Sequence, residues 1–116
     1  MIRAGADINA KNKNDWSPLH STKFNRNDAV VRLLLESGAK VDAIDDMNRT
    51  PLHLAAPFGS IGKIVLLLNA GANANAKTKY GITPLHGAAG WNTDARVIEA
   101  IINAGGEVNA GMNSGR

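Results

Sequence analysis

Three histidines, His20, His53 and His86, are the residues of this 116-residue chain best suited to bind a metal ion or act as a general base. They recur every 33 residues, each directly after a Pro-Leu pair, so they occupy equivalent positions of a repeating unit. Packed helices lie about 10 Å apart, whereas zinc needs nitrogen ligands at about 2.0–2.1 Å, so neighbouring units cannot share one ion. The three histidines are therefore predicted to be structural, and neither a metal ion nor a cofactor is expected.

Two other patterns also fall short of a catalytic site. The segment 59–63, Gly-Ser-Ile-Gly-Lys, has too few residues between its glycines for a phosphate-binding loop, and it is followed by Ile64 where that loop has Ser or Thr. The pair Asp45-Asp46 lacks a converging histidine or third carboxylate in the neighbouring sequence, which favours a solvated turn. The chain is accordingly predicted not to be an enzyme.

Two independent sequence markers share the period of 33 residues. The motif Ser/Thr-Pro-Leu-His occupies residues 17–20, 50–53 and 83–86, and a Gly-Ala pair occupies residues 5–6, 38–39 and 71–72. The next glycine pair, at 105–106, comes one residue late, which predicts an extra residue in the turn near 91–94. A fixed period of this length is typical of a repeat protein.

Each unit is predicted to contain two helices, a turn between them and an extended loop. Ser or Thr before Pro is a helix start, and Gly38 and Gly71 lie where a left-handed helix end is expected. The second helix has apolar residues at helical spacing, namely Val30, Val31, Leu34 and Leu35 in one unit and Ile61, Ile64, Val65 and Leu68 in the next. So short a helix pair cannot bury its own apolar stripe and must stack on a neighbour.

The motif T-P-L-H-x-A-A, the I-V-x-L-L-L helix and the G-A-D-x-N-A loop at this period resemble the ankyrin-repeat family over essentially the whole chain. The resemblance implies an all-α ankyrin-repeat solenoid of stacked helix-turn-helix units with protruding β-hairpin-like loops. It divides a single domain, residues 1–116, into the end of a preceding repeat (1–11), three repeats (12–44, 45–77 and 78–111) and the start of a next repeat or a tail (112–116). The chain departs from the family pattern at Arg26, at Pro57, which should shorten its helix, and at Gly87.

The asparagine slot of the family's loop holds Asn9, Asn75 and Asn109. Asparagine side chains bond to nearby backbone, so these residues are predicted to form turns. In eukaryotic members of the family this asparagine can be the substrate of an asparaginyl hydroxylase, and that alternative stays open here.

The resemblance implies that the chain binds another protein through its concave face, which the loop tips and the first helices form. Carried over by register, the predicted contacts are Trp16, Phe24, Asn25, Met47, Arg49, Phe58, Lys79, Tyr80, Ile82 and Trp91. This set contains every aromatic residue of the chain, and aromatic residues dominate binding hot spots. The alternative is that these aromatic residues cover the seams between repeats.

The sequence leaves two alternatives to protein binding. Nucleic-acid binding is disfavoured because the net charge is only +3 and the basic residues at the tips (Lys11, Lys13, Lys77 and Lys79) are interrupted by Asp45 and Asp46. The other alternative is a targeting arm of a larger enzyme or effector whose catalytic domain is not part of this sequence. No membrane contact is expected, and the predicted location is cytoplasmic, because no long apolar run or secretory signal is visible.

The two ends of the array differ in polarity. Repeat one has Ser21, Thr22, Lys23 and Asn25 where the family has apolar or small residues, as a terminal cap requires. Repeat three keeps an interior pattern in its second helix, with Val97, Ile98, Ala100, Ile101 and Ile102. An uncovered apolar face promotes association, so the C-terminal end is predicted to be covered by further repeats or by another chain, with self-association as one outcome.

Overall fold

The computed structural model describes residues 7–25 and 27–106, except for the side chain of Phe24. Six α-helices form three pairs in this part of the chain, and no residue of it lies in a β-strand. The helices are α1 (Pro18–Ser21, continued by a 3-10 turn at Thr22–Phe24), α2 (Asp28–Glu36), α3 (Pro51–Ala55), α4 (Ile61–Asn69), α5 (Pro84–Trp91) and α6 (Ala95–Asn103). The predicted all-α solenoid of helix-turn-helix units is confirmed.

The first helix of each pair begins at the motif predicted to start it. Ser17, Thr50 and Thr83 are the N-cap residues, and a proline is the first residue of α1, α3 and α5. The hydroxyl of Thr50 accepts from the N–H of His53 at 3.3 Å, and in all three motifs the histidine ring accepts from the N–H of the N-cap residue. Proline has no amide to satisfy. The helix starts are therefore encoded locally.

The helices stack in two layers. In one layer α2 contacts α4 and α4 contacts α6, and in the other α1 contacts α3 and α3 contacts α5. The buried apolar residues of the second helices are Val31 and Leu34, Ile64 and Leu67, and Val97 and Ile101. Burial of one such aliphatic side chain contributes about 1.5–3 kcal/mol, so the apolar seams between repeats hold the stack together.

Val65 lies on the opposite side of α4 from the predicted side. Its side chain is 37% exposed, and Leu67 is buried instead. Val65 is the fifth residue of α4, and the fifth residues of α2 and α6 are Arg32 and Glu99, which are exposed. Because residues 64–68 are all apolar, this segment alone does not reveal which face is buried, and only the register with the other helices does.

The helix α3 ends at Ala55, two residues before Pro57, whereas α5 continues to Trp91. The helix α1 is no longer than α3 although it has no such proline, so the shortening expected from Pro57 stays a prediction. A Cβ atom on Gly87 would lie 3.1 Å from Cγ of Pro57, so the glycine makes room for the proline ring of the preceding repeat. The two departures from the family pattern therefore compensate each other.

The extra residue of the third repeat lies where it was expected. The second helix begins ten residues after the first in the first two pairs and eleven residues after it in the third pair. The insertion thus precedes α6. The glycines that follow the second helices, Gly38, Gly71 and Gly105, have φ angles of +98°, +98° and +105°, which confirms the left-handed helix ends at the first two.

The loop asparagines lie in turns, but their side chains bond to the next repeat and not only to nearby backbone. Oδ1 of Asn9 accepts from the N–H of Lys40 at 2.8 Å, and its Nδ2 donates to the carbonyl of Gly38 at 3.3 Å. Nδ2 of Asn75 donates to the carbonyl of Gly105 at 2.8 Å. These side chains therefore connect repeats, a role that the prediction of a local turn missed.

Several expectations concern parts of the chain that the structure does not describe. These are the first Gly-Ala pair, Arg26, Asn109 and residues 112–116, for which the predictions stay predictions. The expected covering of the C-terminal end is also still a prediction. Among the residues described, no helix is long and apolar enough to cross a membrane.

Each repeat is joined to the next by a buried histidine. Nδ1 of His20 accepts from the backbone N–H of Ser17 at 3.1 Å, so the ring proton must be on Nε2, which donates to the carbonyl of Arg49 at 2.8 Å. His53 repeats this with the N–H of Thr50 and with the carbonyls of Ala76 and Ile82, both at 2.9 Å. The predicted structural role of both histidines is observed.

The same contacts oppose protonation of the two imidazoles. Burial lowers the pKa of His20 and of His53, although the carbonyl acceptors act in the opposite direction. A proton on Nδ1 would also face the backbone N–H that this atom accepts. Both rings are therefore held neutral in the folded chain.

We expect the free energy of unfolding to decrease as the pH falls below about 6.5, the ordinary pKa of histidine in an unfolded chain. Below that pH the unfolded chain binds protons that the folded chain excludes, so stability is lost with acid. Urea unfolding at about pH 7.5 and about pH 5 measures the effect, since aspartate and glutamate stay largely ionised over this range. An unfolding free energy that does not change between these pH values would contradict the neutral, bridging histidines.

Candidate partner-binding surface

The predicted contact residues fall into two groups that lie at opposite ends of the first helices. Trp16, Met47, Arg49, Lys79, Tyr80 and Ile82 lie in the loops that precede these helices, whereas Phe24, Asn25, Phe58 and Trp91 lie where the helices end. A helix rises about 1.5 Å per residue, so the eight residues of α5 separate the two groups by about 12 Å. We call the two groups the loop tips and the turn end.

Each loop tip is a five-residue turn of one design. The first residue donates its N–H to the carbonyl of the fifth, as from Asn12 to Trp16, from Asp45 to Arg49 and from Thr78 to Ile82 at 2.9–3.0 Å. The fourth residues, Asp15, Asn48 and Gly81, have positive φ angles, and these residue types tolerate that conformation best. The loops keep the tight turn of a hairpin without flanking strands.

The side chain of the first tip residue closes the turn from inside. Oδ1 of Asn12, Oδ1 of Asp45 and Oγ1 of Thr78 each accept from the backbone N–H groups of the third and fifth residues, at 2.8–3.2 Å. Successive tips are also joined, since the N–H of Lys79 donates to the carbonyl of Met47 at 2.9 Å. The tips therefore form one row with a fixed spacing.

Asp45 lies in a turn, but its side chain is buried and accepts hydrogen bonds from other tip residues. The prediction that this turn is solvated is therefore wrong for Asp45. Its Oδ2 accepts from Nε of Arg49 at 2.8 Å and from Nε1 of Trp16, in the preceding repeat, at 3.1 Å. Burial by itself raises the pKa of Asp45, but the hydrogen bonds from Arg49 and Met47 outweigh it and the pKa is lowered. A buried carboxylate is stable here because several donors surround it.

Two of the predicted tip contacts are thus fixed by Asp45. The indole of Trp16 is half-buried and stacks on the ring of His20, with centroids 6.2 Å apart. Arg49 is half-buried and ion-paired with Asp45. In the neighbouring tip Tyr80 is 60% exposed and Lys79 is also exposed, so these two side chains face solvent on a rigid turn.

The turn end carries the most exposed aromatic side chains of the described residues. Phe58 is 74% exposed and Trp91 is 68% exposed, and their ring centroids lie 6.1 Å apart at an angle of 45°. Phe58 belongs to the second repeat and Trp91 to the third, so the aromatic pair spans a repeat junction. The exposure expected of these two residues is observed. The side chain of Phe24, a further predicted contact, lies outside the described part of the chain.

Phe58 occupies a position that is asparagine in the other two repeats. Asn25, Phe58 and Asn92 each stand two residues before the N-cap of a second helix. The side-chain oxygens of Asn25 and Asn92 accept from the N–H of the capping residue, both at 2.8 Å, which closes the turn. Phenylalanine cannot make this hydrogen bond. The side-chain oxygen of Asn25, a predicted partner contact, is therefore already hydrogen-bonded within the chain.

Lys63 is a buried residue that the sequence analysis did not single out. It is the third residue of α4, where α2 and α6 have Val30 and Val97, and its exposure is 4%. Its ammonium group donates to the carbonyls of Thr22 and Asn25, at 2.6 and 2.8 Å. Burial lowers the pKa of Lys63, and the nearby carboxylate of Asp28 opposes that shift. Alignment of the three second helices would have revealed the lysine among valines.

Metal binding finds no support in the geometry. Within residues 7–25 and 27–106, no three side chains of His, Asp or Glu converge closely enough to hold an ion. Both ring nitrogens of His20 and of His53 are hydrogen-bonded to backbone groups, so they are not available to a metal ion. For His86, Nδ1 faces the N–H of Thr83 at 3.0 Å, which is the same arrangement.

Comparison with known proteins agrees with the geometry. A family model described as ankyrin repeats (3 copies) matches residues 1–78, about two thirds of the chain. The helices α5 and α6 lie beyond that match and continue the same arrangement. No curated protein matches the chain.

We expect the substitution Lys63→Met to lower the free energy of unfolding by about 1–3 kcal/mol, because the carbonyl groups of Thr22 and Asn25 in the preceding repeat lose a charged donor. Methionine keeps most of the side-chain length, so packing changes little. Urea denaturation measures the difference, and Lys77→Met, at an exposed lysine, serves as the control with an expected change within about 0.5 kcal/mol. Equal stability of K63M and the parent would show that the ammonium group does not support the turn.

Proposed function

The chain belongs to the ankyrin-repeat family, and on that premise we propose that it binds a partner protein through the loop tips and the turn end. Ankyrin repeats are in general protein-interaction modules and are not themselves catalytic. The proposed contacts remain those that the register predicts. They comprise Trp16, Phe24, Asn25, Met47, Arg49, Phe58, Lys79, Tyr80, Ile82 and Trp91.

The observation that carries the proposal is the exposure of Phe58. Its ring is three-quarters exposed, so it contributes little to the core, and it replaces a turn-closing asparagine. An aromatic side chain that a fold exposes at the expense of a hydrogen bond is best explained by contact with another molecule. Trp91, at 68% exposure beside it, enlarges the apolar surface across the junction.

The loop tips support the proposal through their rigidity. The side chains of Asn12, Asp45 and Thr78 hold the turns closed, so the backbone that carries Tyr80 and Lys79 loses little conformational freedom when a partner binds. The side chains of Trp16 and Arg49 are bound to Asp45, so their main role at this surface is to hold the tips in position. Preorganised aromatic contacts of this kind favour protein recognition.

Nucleic-acid binding receives less support. Nζ of Lys11 donates to the carbonyl of Ile44 at 2.7 Å, so this lysine is directed toward the backbone of the next repeat. Asp46 is exposed between the basic tips, which interrupts any continuous positive stripe. No particular observation favours the role of a targeting arm for an enzyme.

The proposal includes two features that come from the sequence alone. One is the division into repeats at 12–44, 45–77 and 78–111 with partial units at 1–11 and 112–116. The other is an intracellular, cytoplasmic location. Both stay predictions.

We expect Phe58→Ala or Trp91→Ala to weaken binding of a partner protein by about 2 kcal/mol or more, because exposed aromatic residues at the centre of an interface are hot spots. Isothermal titration calorimetry with a partner recovered by crosslinking measures the loss. Leu33→Ala is the matched control, since Leu33 is 41% exposed on α2 and outside both groups. Affinities that neither aromatic substitution changes would place the binding surface elsewhere.

A further inference from the structure

The three loop tips have exposed charges that alternate in sign along their row. The second residues of the tips are Lys13, Asp46 and Lys79, and all three side chains are exposed. None of the three forms an ion pair or a side-chain hydrogen bond within the part of the chain that the structure describes. The row therefore presents one negative charge between two positive ones.

The turns themselves do not need these three side chains. In each tip the side chain of the first residue closes the turn, and in the second tip Asp45 is also the ion-pair partner of Arg49. The neighbouring Asp46 donates its backbone N–H to the carbonyl of Asn14 at 3.4 Å, but its carboxylate makes no such contact. A charge that the turn leaves unpaired at the same place in three successive tips indicates a use in binding.

The remaining charged residues around the tips preserve the alternation. Segment 11–16 has two lysines and one aspartate, segment 44–49 has two aspartates and one arginine, and segment 77–82 has two lysines. Their net charges are therefore positive, negative and positive. Packed repeats lie about 10 Å apart, whereas the screening length at physiological ionic strength is about 8 Å. A partner thus meets three separate charges and not one averaged charge.

We propose that the row of loop tips binds a helix of the partner protein that has an acidic, a basic and a second acidic residue at intervals of about seven residues. A helix rises about 1.5 Å per residue, so seven residues cover about 10 Å in two turns and keep the three side chains on one face. Over the same distance an extended strand advances about three residues, and its side chains alternate between faces.

The exposed Tyr80 gives the bound helix a direction. The charge order reads the same from either end of the row, but Tyr80 lies only in the third tip, beside Lys79, and is 60% exposed. The helix is expected to place an apolar residue there, close to one of its two acidic residues. Complementary charges of this kind select a partner and its register. The inference rests on the proposed function and adds the order of charges in the partner.

A library of helical peptides displayed on phage, randomised along one face, selected on the full chain and counter-selected on D46K, tests the inference. We expect enriched peptides to have Lys or Arg between two acidic residues, about seven positions from each. Charges about three positions apart would indicate an extended segment and would contradict the helix. Enrichment of uniformly acidic peptides, or of none that distinguishes D46K from the parent, also overturns the proposal.

Reversal of both charges of the central pair makes the test specific. We expect D46K to weaken binding of an enriched peptide about fivefold, because an attraction becomes a repulsion, although the variant is more positive overall. A peptide with Glu in place of its central base should bind D46K about as tightly as the original peptide binds the parent. E36K is the matched control, since Glu36 is exposed at the end of α2, outside the tips and the turn end, and its reversal changes the net charge equally.

Fluorescence anisotropy of the labelled peptides at physiological salt measures these affinities, and we expect E36K to leave them unchanged. Equal effects of E36K and D46K would show attraction by net charge alone. Weak binding of the charge-reversed peptide to D46K would show that the two side chains do not pair. Either result overturns the proposal. A peptide whose binding F58N abolishes and D46K leaves intact would keep protein binding at the turn end in place while contradicting the row.

Discussion

The bond from a buried imidazole to a carbonyl of the next loop is the interaction on which the array depends. Nε2 of His20 reaches Arg49, and Nε2 of His53 reaches Ala76 and Ile82. No helix pair here is long enough to bury its own apolar stripe, so stability has to come from stacking on a neighbour. The imidazole fixes the register of that stacking, because it binds the start of its own helix and the next loop at the same time. The apolar seams and the row of loop tips follow from that register.

Such a periodic structure makes departures from the period informative. Most of them compensate within the chain, as Gly87 compensates Pro57 and Gly62 accommodates Asp28. Lys63 stabilises the inter-helix turn of the preceding repeat, in place of the apolar packing of Val30 and Val97. Phe58 is different, because its ring is exposed and its turn loses a hydrogen bond that both neighbouring repeats have. Residues that reduce local consistency without a gain for folding are the ones to assign to binding.

The repeat pattern predicted the fold because the motifs that start and end the helices act locally. Ser17, Thr50 and Thr83 are N-cap residues directly before a helix-starting proline, and Gly38 and Gly71 end the second helices by their own backbone. Side chains that act between repeats were harder to predict. Trp16 donates to Asp45, which is buried at this contact between repeats, and Asn9 accepts from Lys40. Both hydrogen bonds join residues about thirty positions apart. The prediction that Val65 lies on the buried face of α4 was wrong for a similar reason. A continuous run of apolar residues does not show which face of the helix is buried.

The claim that Phe58 serves a partner and not the fold is tested most directly by the stability of F58N in the absence of any partner. We expect its free energy of unfolding in urea to equal or exceed that of the parent, because asparagine can restore the turn-closing hydrogen bond to the N–H of Ser60 and removes an exposed aromatic ring. A loss of more than about 1 kcal/mol, as expected for removal of a side chain that packs, would show that Phe58 stabilises the fold and would contradict the claim.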